Sequence, residues 1–156
     1  MRRKDREVED RKEILSILDS CSVCRLAFID GDEPYIVPVN FGWKDENGEL
    51  RIYVHGANEG RKIDLVKRGG KVAFEADTGF EVIPAGAACS FSAKYRSVTG
   101  YGIARLAESA EEKLEGLSAV MEHLTGKSGW SFNPESADHT DVIILKVEKI
   151  SGKQRL

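Results

Sequence analysis

The sequence predicts one antiparallel β-barrel domain, residues 1–156, with helices packed around it. Strand-like segments separated by short polar turns follow one another along most of the chain, and only three stretches have helical periodicity. A length of 156 residues also favours a single domain. The predicted α+β domain has six or seven mostly antiparallel strands and about three helices.

A helix and three strands are predicted in the first third of the chain. The helix covers residues 5–18, with Asp5 as its N-cap and an apolar stripe on one face. Strand patterns follow at 23–29, 35–43 and 50–55. Because a turn cluster and then an Asn-Gly hairpin sequence separate these strands, they form an antiparallel meander.

The middle of the chain contains a short helix and a strand. The helix at 60–68 ends at two glycines, the residue type typical of the position after a helix. A strand follows at 71–77. Residues 78–88, with two glycines and one proline, have the composition of a loop.

The last third is predicted to hold a long strand, a helix and a final strand. Residues 89–106 form one long or bent strand, and its two glycines, Gly100 and Gly102, mark a bulge or a close backbone approach. Ser109 opens a helix with capping-box spacing, and Gly126 closes it. A polar loop then leads to a strand at 141–150.

Charge and composition exclude several classes of protein. The net charge of -3 argues against nucleic-acid binding, which usually requires a basic face. No apolar run approaches the roughly 20 residues that span a bilayer. The charged N-terminus lacks the apolar core of a signal peptide, so the expected location is the cytoplasm. Three cysteines, an odd number, fit a reducing compartment.

Two cations at the start of the second predicted helix form the first candidate binding site. Arg61 and Lys62 lie in its first turn, where the helix dipole is already positive. Cations at this end become favourable if an anion, most naturally a phosphate, binds between them and the free backbone N–H groups. The alternative is that both side chains extend into solvent or pair with Glu59 and Asp64.

Polar residues on both faces of the long strand form a second candidate site. Strand alternation places Lys94 and Arg96 on one face and Tyr95 and Ser97 on the other. One interpretation is that Arg96 or Ser97 contacts a ligand. The alternative is an edge strand protected by charge.

Several motifs, taken in order, resemble one known family. They are Tyr35-Ile-Val-Pro-Val-Asn-Phe41, the His55-Gly-Ala turn, Gly60-Arg-Lys62, Ser92-Ala-Lys-Tyr-Arg-Ser-Val98 with Gly100-Tyr-Gly102, and Gly152-Lys-Gln154. Together they resemble the FMN-binding split-barrel superfamily, which includes pyridoxamine 5'-phosphate oxidase. Within it they are most similar to the 5-nitroimidazole-resistance (Nim) branch, over residues 10 to 154.

The resemblance implies FMN bound at the interface of a homodimer, with the flavin ring along the second strand. By position, the ring would contact Val37, Pro38, Val39 and Asn40, largely through backbone groups. The ribityl and ring region would be lined by Val54, His55, Gly56 and Ala57. Arg61 and Lys62 match the phosphate-binding pair of the superfamily, and Arg96 and Ser97 would add further cofactor contacts.

The resemblance also implies an activity, which is flavin-dependent reduction of a small molecule such as a nitroaromatic. His55 ends a strand beside small residues and titrates near neutrality, so it is the candidate catalytic residue, either as a proton donor to a substrate anion or as a group that stabilises a reduced, anionic flavin. The alternative for His55 is a hydrogen bond to the turn or the ribityl chain. Other hypotheses for the protein are a flavin-binding or redox-sensing module without turnover, or a barrel that binds haem or a deazaflavin.

The remaining motifs are assigned structural roles. Cys21 and Cys24 have CxxC spacing but lack two further ligands for zinc, so no metal site is expected. No clear counterpart of the oxidase's C-terminal Trp and Arg follows Ile150, so oxidation of pyridoxamine phosphate is not predicted. Trp130 and Phe132 are predicted to form a packing flap that could lie over the flavin of a partner subunit.

Overall fold

Residues 3–156 are described by a computed structural model, and they form one open antiparallel sheet with helices packed against it. The strands are β1 (Glu7–Val8), β2 (Cys24–Asp30), β3 (Glu33–Val39), β4 (Gly42–Glu46), β5 (Glu49–Ala57), β6 (Lys71–Ile83), β7 (Ser92–Leu106) and β8 (Thr140–Arg155). The helices are α1 (Arg11–Asp19), α2 (Arg61–Arg68), α3 (Ala110–Thr125) and α4 (Pro134–Asp138).

The strands follow the order β3-β2-β6-β7-β8-β5-β4, and β1 pairs with β8 outside this path. Every pairing is antiparallel. The sheet does not close, because β3 and β4, the strands at its two ends, do not pair with each other. The predicted fold class is confirmed, with eight strands and four helices in the described residues.

The core lies inside the curved sheet and beneath α1 and α2. Its largest fully buried side chains include Phe41, Ile17, Leu18, Leu26, Ile52 and Ile143. A smaller apolar cluster lies on the other face of β5 and β8, where α3 covers Tyr53, Val142 and Ile144. Side chains alternate along β5, since Leu50, Ile52 and Val54 face the first cluster and Tyr53 faces the second.

The prediction of a helix over 5–18 is wrong at its N-terminal end. The helix begins at Arg11, and Asp10 caps it by accepting a hydrogen bond of 2.8 Å from the backbone N–H of Lys12. Val8 is buried in β1, where it pairs with Gly152 of β8. Val8 fits the apolar stripe of the predicted helix, but in the structure it pairs with β8, a strand from the other end of the chain.

Two further element boundaries differ from the prediction, because the strands pair over longer stretches than the sequence pattern indicates. The predicted loop at 78–88 is largely strand, since β6 continues to Ile83 and pairs with the start of β7 after an irregularity near Gly79. The last strand continues beyond residue 150 to Arg155, because β7 pairs with it from Ile143 to its end. The polar segment 126–139 also contains the short helix α4.

The strand pattern at 35–43 is divided into β3 and β4. The link Asn40-Phe41 breaks it, and Gly42 then begins β4 against Tyr53. Gly42 lies so close to α3 that a Cβ added there would be 2.2 Å from the backbone carbon of Ala119. The hairpin at 44–48 is confirmed, with Asn47 and Gly48 both at positive φ, 54° and 84°.

The edge-strand interpretation is wrong for Arg96 and Ser97. From Tyr95 onwards β7 lies between β6 and β8 and is paired on both sides, whereas residues 92–94 pair with β6 alone. Charge protection of a free edge therefore does not explain Arg96 and Ser97. Among the helices of residues 3–156, none is both long and apolar enough to cross a membrane.

Candidate functional site

A break in the sheet leaves two free backbone edges near each other. On one side, β3 is the terminal strand. On the other, β4 pairs with β5 only as far as Tyr53, so residues 54–57 continue beyond their partner. Because Gly42 pairs with Tyr53, the two-residue link from β3 to β4 brings the end of β3 close to this extension of β5. Unpaired backbone N–H and C=O groups there can bind a polar planar ligand.

The predicted ring-contacting segment lies on the free edge of β3. Val37 and Val39 are half-buried and pack against the core, whereas Pro38 is exposed on the opposite face. Asn40 follows the strand, and its side-chain amide donates a hydrogen bond of 3.1 Å to the carbonyl oxygen of Ser22. The segment is thus held in place while its outer backbone edge stays open.

Lys62 lies directly beside the end of β5. A Cβ added to Gly56 would be 2.9 Å from the Nζ atom of Lys62, so the ammonium lies against the strand backbone at the one position without a side chain. Burial lowers the pKa of Lys62 below its ordinary value. Within residues 3–156 no carboxylate contributes to that pKa, so the charge of this lysine is not compensated there. An ammonium held this way favours a bound anion.

The N-terminus of α2 adds backbone donors at the same place. Gly60 precedes the helix at φ 116°, and no side chain from the described residues caps it. The first N–H groups of a helix without a cap stay available to a ligand. Arg61 and Lys62 begin this helix, as the sequence predicts, and Ile63, Leu65 and Val66 anchor it in the core.

Arg61 differs from Lys62 because it already has anionic partners. Its guanidinium donates to Asp30 at 2.7 Å and to Glu33 at 3.2 Å, and it lies 4.7 Å from the centre of the Tyr35 ring. Arg68 binds the same Asp30 carboxylate, and Arg68 and Arg61 together lower the pKa of Asp30. The expected partners Glu59 and Asp64 are replaced by two acidic residues of the β2–β3 turn, which sequence reasoning missed because they are distant along the chain.

His55 points away from the core, on the face of β5 that α3 and α4 approach. It lines a cavity of about 120 Å³ with Leu117 of α3, Phe132 and residues of α4. Desolvation and the nearby Lys62 charge lower the pKa of His55 below its ordinary value. The free imidazole is therefore mainly neutral near pH 7, and a bound anion that offsets the Lys62 charge would favour its protonation.

Removing the Lys62 charge is expected to raise the pKa of His55. The Lys62→Met variant keeps most of the side-chain volume but loses the ammonium, whereas desolvation of the imidazole remains. NMR titration of the imidazole signals, assigned with His55→Ala, measures the change. Lys67→Met, at an exposed position of α2, is the matched control and should leave the pKa unchanged. A His55 pKa identical in both variants contradicts the electrostatic coupling.

This coupling also sets the sign of a pH effect on stability. Because the folded chain lowers the pKa of His55, protonation favours the unfolded chain as the pH falls through the ordinary value of 6.5. The Lys62→Met variant should lose less stability over this pH range than the wild-type protein.

Arg96 and Ser97 are not brought together. They are consecutive residues in the first half of β7, so their side chains lie on opposite faces of the sheet. The Arg96 charge acts on Cys21, at the end of α1, and the Ser97 hydroxyl is 3.5 Å from the carbonyl oxygen of Lys153.

The two cysteines of the CxxC segment are buried thiols. Burial raises the pKa of Cys21 to about 11 and that of Cys24 to about 12. The Sγ atom of Cys21 donates to the carbonyl oxygen of Ile17 at 3.2 Å. His123, on α3, packs against Phe41 with ring centres 4.5 Å apart and contacts the carbonyl oxygen of Cys21 at 2.7 Å. These groups connect the segment after α1 to α3 and to the link between β3 and β4.

An open antiparallel barrel with a break between two edge strands and a cation pair at an adjacent helix defines a split barrel. The family model for pyridoxamine 5'-phosphate oxidase matches residues 10–154. The chain belongs to this family. No curated protein matches it by sequence.

Three solved structures are similar to this chain over most of its length. A candidate 5-nitroimidazole antibiotic resistance protein from Bacteroides thetaiotaomicron has 28% identity and a TM-score of 0.81, over 95% of this chain and 86% of that one. The flavocytochrome Anf3 from Azotobacter vinelandii has 21% identity and a TM-score of 0.82, over 100% and 72%. A FAD- and haem-binding protein from Mycobacterium smegmatis has 18% identity and a TM-score of 0.80, over 96% and 73%.

Proposed function

We propose that this protein binds FMN at the break in the sheet and is a flavin-dependent oxidoreductase of the nitroimidazole-resistance type. The observation that carries the proposal is Lys62, a half-buried ammonium without a carboxylate partner in the described residues, beside a helix N-terminus that no described side chain caps. The family match supports the choice of a flavin, and the nitroimidazole-resistance relative supports the type of activity.

The groups at the break suit FMN in two respects. Lys62 and the first N–H groups of α2 provide the charge-assisted donors that a phosphate monoester requires. The free backbone edges of β3 and of residues 54–57 provide N–H and C=O groups that can pair with the acceptors and donors along the polar side of a flavin ring. Gly56 keeps this edge open where a side chain would collide with Lys62.

The bound flavin would supply the electron transfer, and the protein would supply position and protons. His55 adjoins the same strand end and is exposed to solvent. In this proposal the FMN phosphate offsets part of the Lys62 charge, so His55 becomes easier to protonate and can donate a proton to a reduced, anionic substrate. A nitroaromatic is the substrate class that the resistance relative suggests.

The first test is titration of the purified protein with FMN, followed by assay with NAD(P)H and a nitroaromatic. Saturable FMN binding with turnover is expected. His55→Ala should bind FMN like the wild type and lose most of the turnover. FMN binding without turnover in the wild type would leave the alternative of a non-catalytic flavin-binding or redox-sensing module. Failure to bind FMN, with haem or deazaflavin bands in the absorption spectrum, contradicts the proposal.

We further propose that the protein is a homodimer with its cofactor sites at the interface. An apolar strip crosses the outer face of the sheet, where Ile36, Ala27, Ala73 and Tyr101 are successive cross-strand partners. Ile36 is 61% exposed, and Ile29, on the same face of β2, is 71% exposed. Exposed apolar strips of this kind are typical of protein–protein interfaces. The strip borders the free edge of β3, where the flavin ring is proposed to lie.

Light scattering is expected to give about twice the chain mass of 17.3 kDa at micromolar concentration. Ile29→Lys should shift the protein towards the monomer and weaken FMN binding, because a charge would be buried in the interface. Leu124→Lys, at an exposed position of α3, is the matched control. A wild-type monomer that binds FMN tightly contradicts this assignment.

A further inference from the structure

A second cavity lies between α3 and α4, separate from the proposed flavin phosphate site. Its volume is about 470 Å³, within the roughly 300–1,000 Å³ typical of small-molecule sites. The first turn of α3 forms one wall, and the segment from Phe132 through α4 forms the other. The cavity is open to solvent on one side.

The lining of this cavity combines an apolar wall with an excess of negative charge. Its apolar members are Ala107, Leu114, Phe132, Pro134 and Ala137. Its charged members are three acidic residues, Glu108, Asp138 and Asp141, and one basic residue, Lys113.

The single cation of the lining is already engaged. The Nζ atom of Lys113 donates a hydrogen bond of 3.1 Å to the carbonyl oxygen of Ala137, which joins α3 to α4. The three acidic residues make no ion pair with another part of the described chain. Glu112, which is close in sequence, is outside the lining and pairs with Arg105.

The apolar wall continues inward. Phe132 and Ala137 also line the smaller cavity beside His55, so the two cavities share a wall. Leu114, also in the lining of the outer cavity, is 46% exposed and can contact a bound ligand. The shape therefore fits a ligand with a flat apolar body directed inward and a polar group at the mouth.

From this geometry and charge, we propose that the cavity between α3 and α4 binds a small organic cation, a molecule with an aromatic or alicyclic body and a protonated amine. The apolar body contacts Leu114 and Phe132, and the amine lies among the acidic side chains. The negative lining disfavours organic anions of the same shape. This proposal does not depend on flavin binding at the break in the sheet.

The test compares three probes of matched shape by NMR titration of the full-length protein. They are 2-phenylethylamine, a cation at neutral pH, 2-phenylethanol, which is neutral, and 3-phenylpropanoate, an anion. The cation is expected to bind about tenfold or more tightly than the anion, because the lining has net negative charge. Its affinity should fall as ionic strength rises. The amide signals that shift should be those of Phe132 and the first turn of α3.

Variants at matched positions locate the probe. Leu114→Lys places a cation in the mouth and should abolish binding of 2-phenylethylamine, whereas Leu124→Lys, on the same helix outside the cavity, should not. Asp138→Asn should weaken binding, and Glu111→Gln, an exposed acidic residue of α3 outside the lining, should not. The amide spectrum of Leu114→Lys, expected to match the wild type outside the cavity, shows that the fold is intact.

Three results would overturn the proposal. The absence of binding by all three probes excludes a site for this class of ligand. Equal affinity for the cation and the anion excludes recognition by charge. Unchanged binding in Leu114→Lys places the probe somewhere else on the protein.

Discussion

Replacing Gly102 by alanine is expected to lower the free energy of unfolding by about 3 kcal/mol or to prevent folding, which is the upper end of the range for overpacked sites. A Cβ at this position would lie 1.9 Å from the carbonyl oxygen of Lys146 and 2.7 Å from its carbonyl carbon. Both atoms belong to the backbone of β8, so no rotamer change relieves the collision. Gly102 is also the first residue after a register shift in the pairing of β7 with β8, the two longest strands of the sheet.

Gly86→Ala is the matched control for this prediction. Nothing lies within 4 Å of a Cβ added to Gly86, and its φ is not in the left-handed region. Urea unfolding, followed by circular dichroism, should give a midpoint close to the wild-type value for Gly86→Ala and a much lower one for Gly102→Ala. Equal midpoints for the two variants would show that β8 can move away from β7 at little energetic cost.

The parts of the fold that depend on local sequence could be predicted. The hairpin at Asn47-Gly48 needs positive φ at both residues, a local requirement that the residue types reveal. Ser109 caps α3 by accepting a hydrogen bond of 3.1 Å from the N–H of Glu112, and Gly126 ends the helix in the left-handed region. The helix at 60–68 was predicted almost to the residue, because a glycine precedes it and a glycine follows it.

The parts that depend on distant partners could not be predicted. The strand at Glu7–Val8 exists because β8 passes beside it, and two residues carry too little pattern to show this. The extension of β6 to Ile83 is similar, since its glycine and apolar residues are compatible with a loop until β7 pairs with them. In both cases non-local hydrogen bonding overrides local propensity.

The candidate site also combines features that local sequence predicts with features that depend on distant parts of the chain. The position of Lys62 at the first turn of α2 could be predicted from the glycines and the helix pattern. The partners of Arg61 could not, because Asp30 and Glu33 come from a turn about thirty residues away, and only the folded chain brings them to the helix. Strand alternation predicts that the side chains of Arg96 and Ser97 lie on opposite faces of the sheet. It does not predict that β7 lies in the centre of the sheet.

The second large effect is expected for Lys62→Ala, which should weaken FMN binding by at least about tenfold, since charge-assisted hydrogen bonds contribute roughly 1.5–3 kcal/mol. Lys62 is the cation whose charge no described carboxylate balances, and its ammonium lies against the backbone of Gly56 at the proposed site. Arg61→Ala should cause a smaller loss, because Asp30 and Glu33 already share the charge of Arg61.

Fluorescence titration with FMN measures the three affinities, and titration with riboflavin separates the contribution of the phosphate. Riboflavin lacks the phosphate, so Lys62→Ala should leave its affinity almost unchanged if the lysine acts on the phosphate alone. Lys67→Ala, an exposed lysine in the last turn of the same helix, should bind FMN like the wild type. If Lys62→Ala also binds FMN with wild-type affinity, the phosphate does not lie at the start of α2. A larger loss for Arg61→Ala than for Lys62→Ala would mean that FMN displaces Asp30 and Glu33 and that the arginine is the principal anchor.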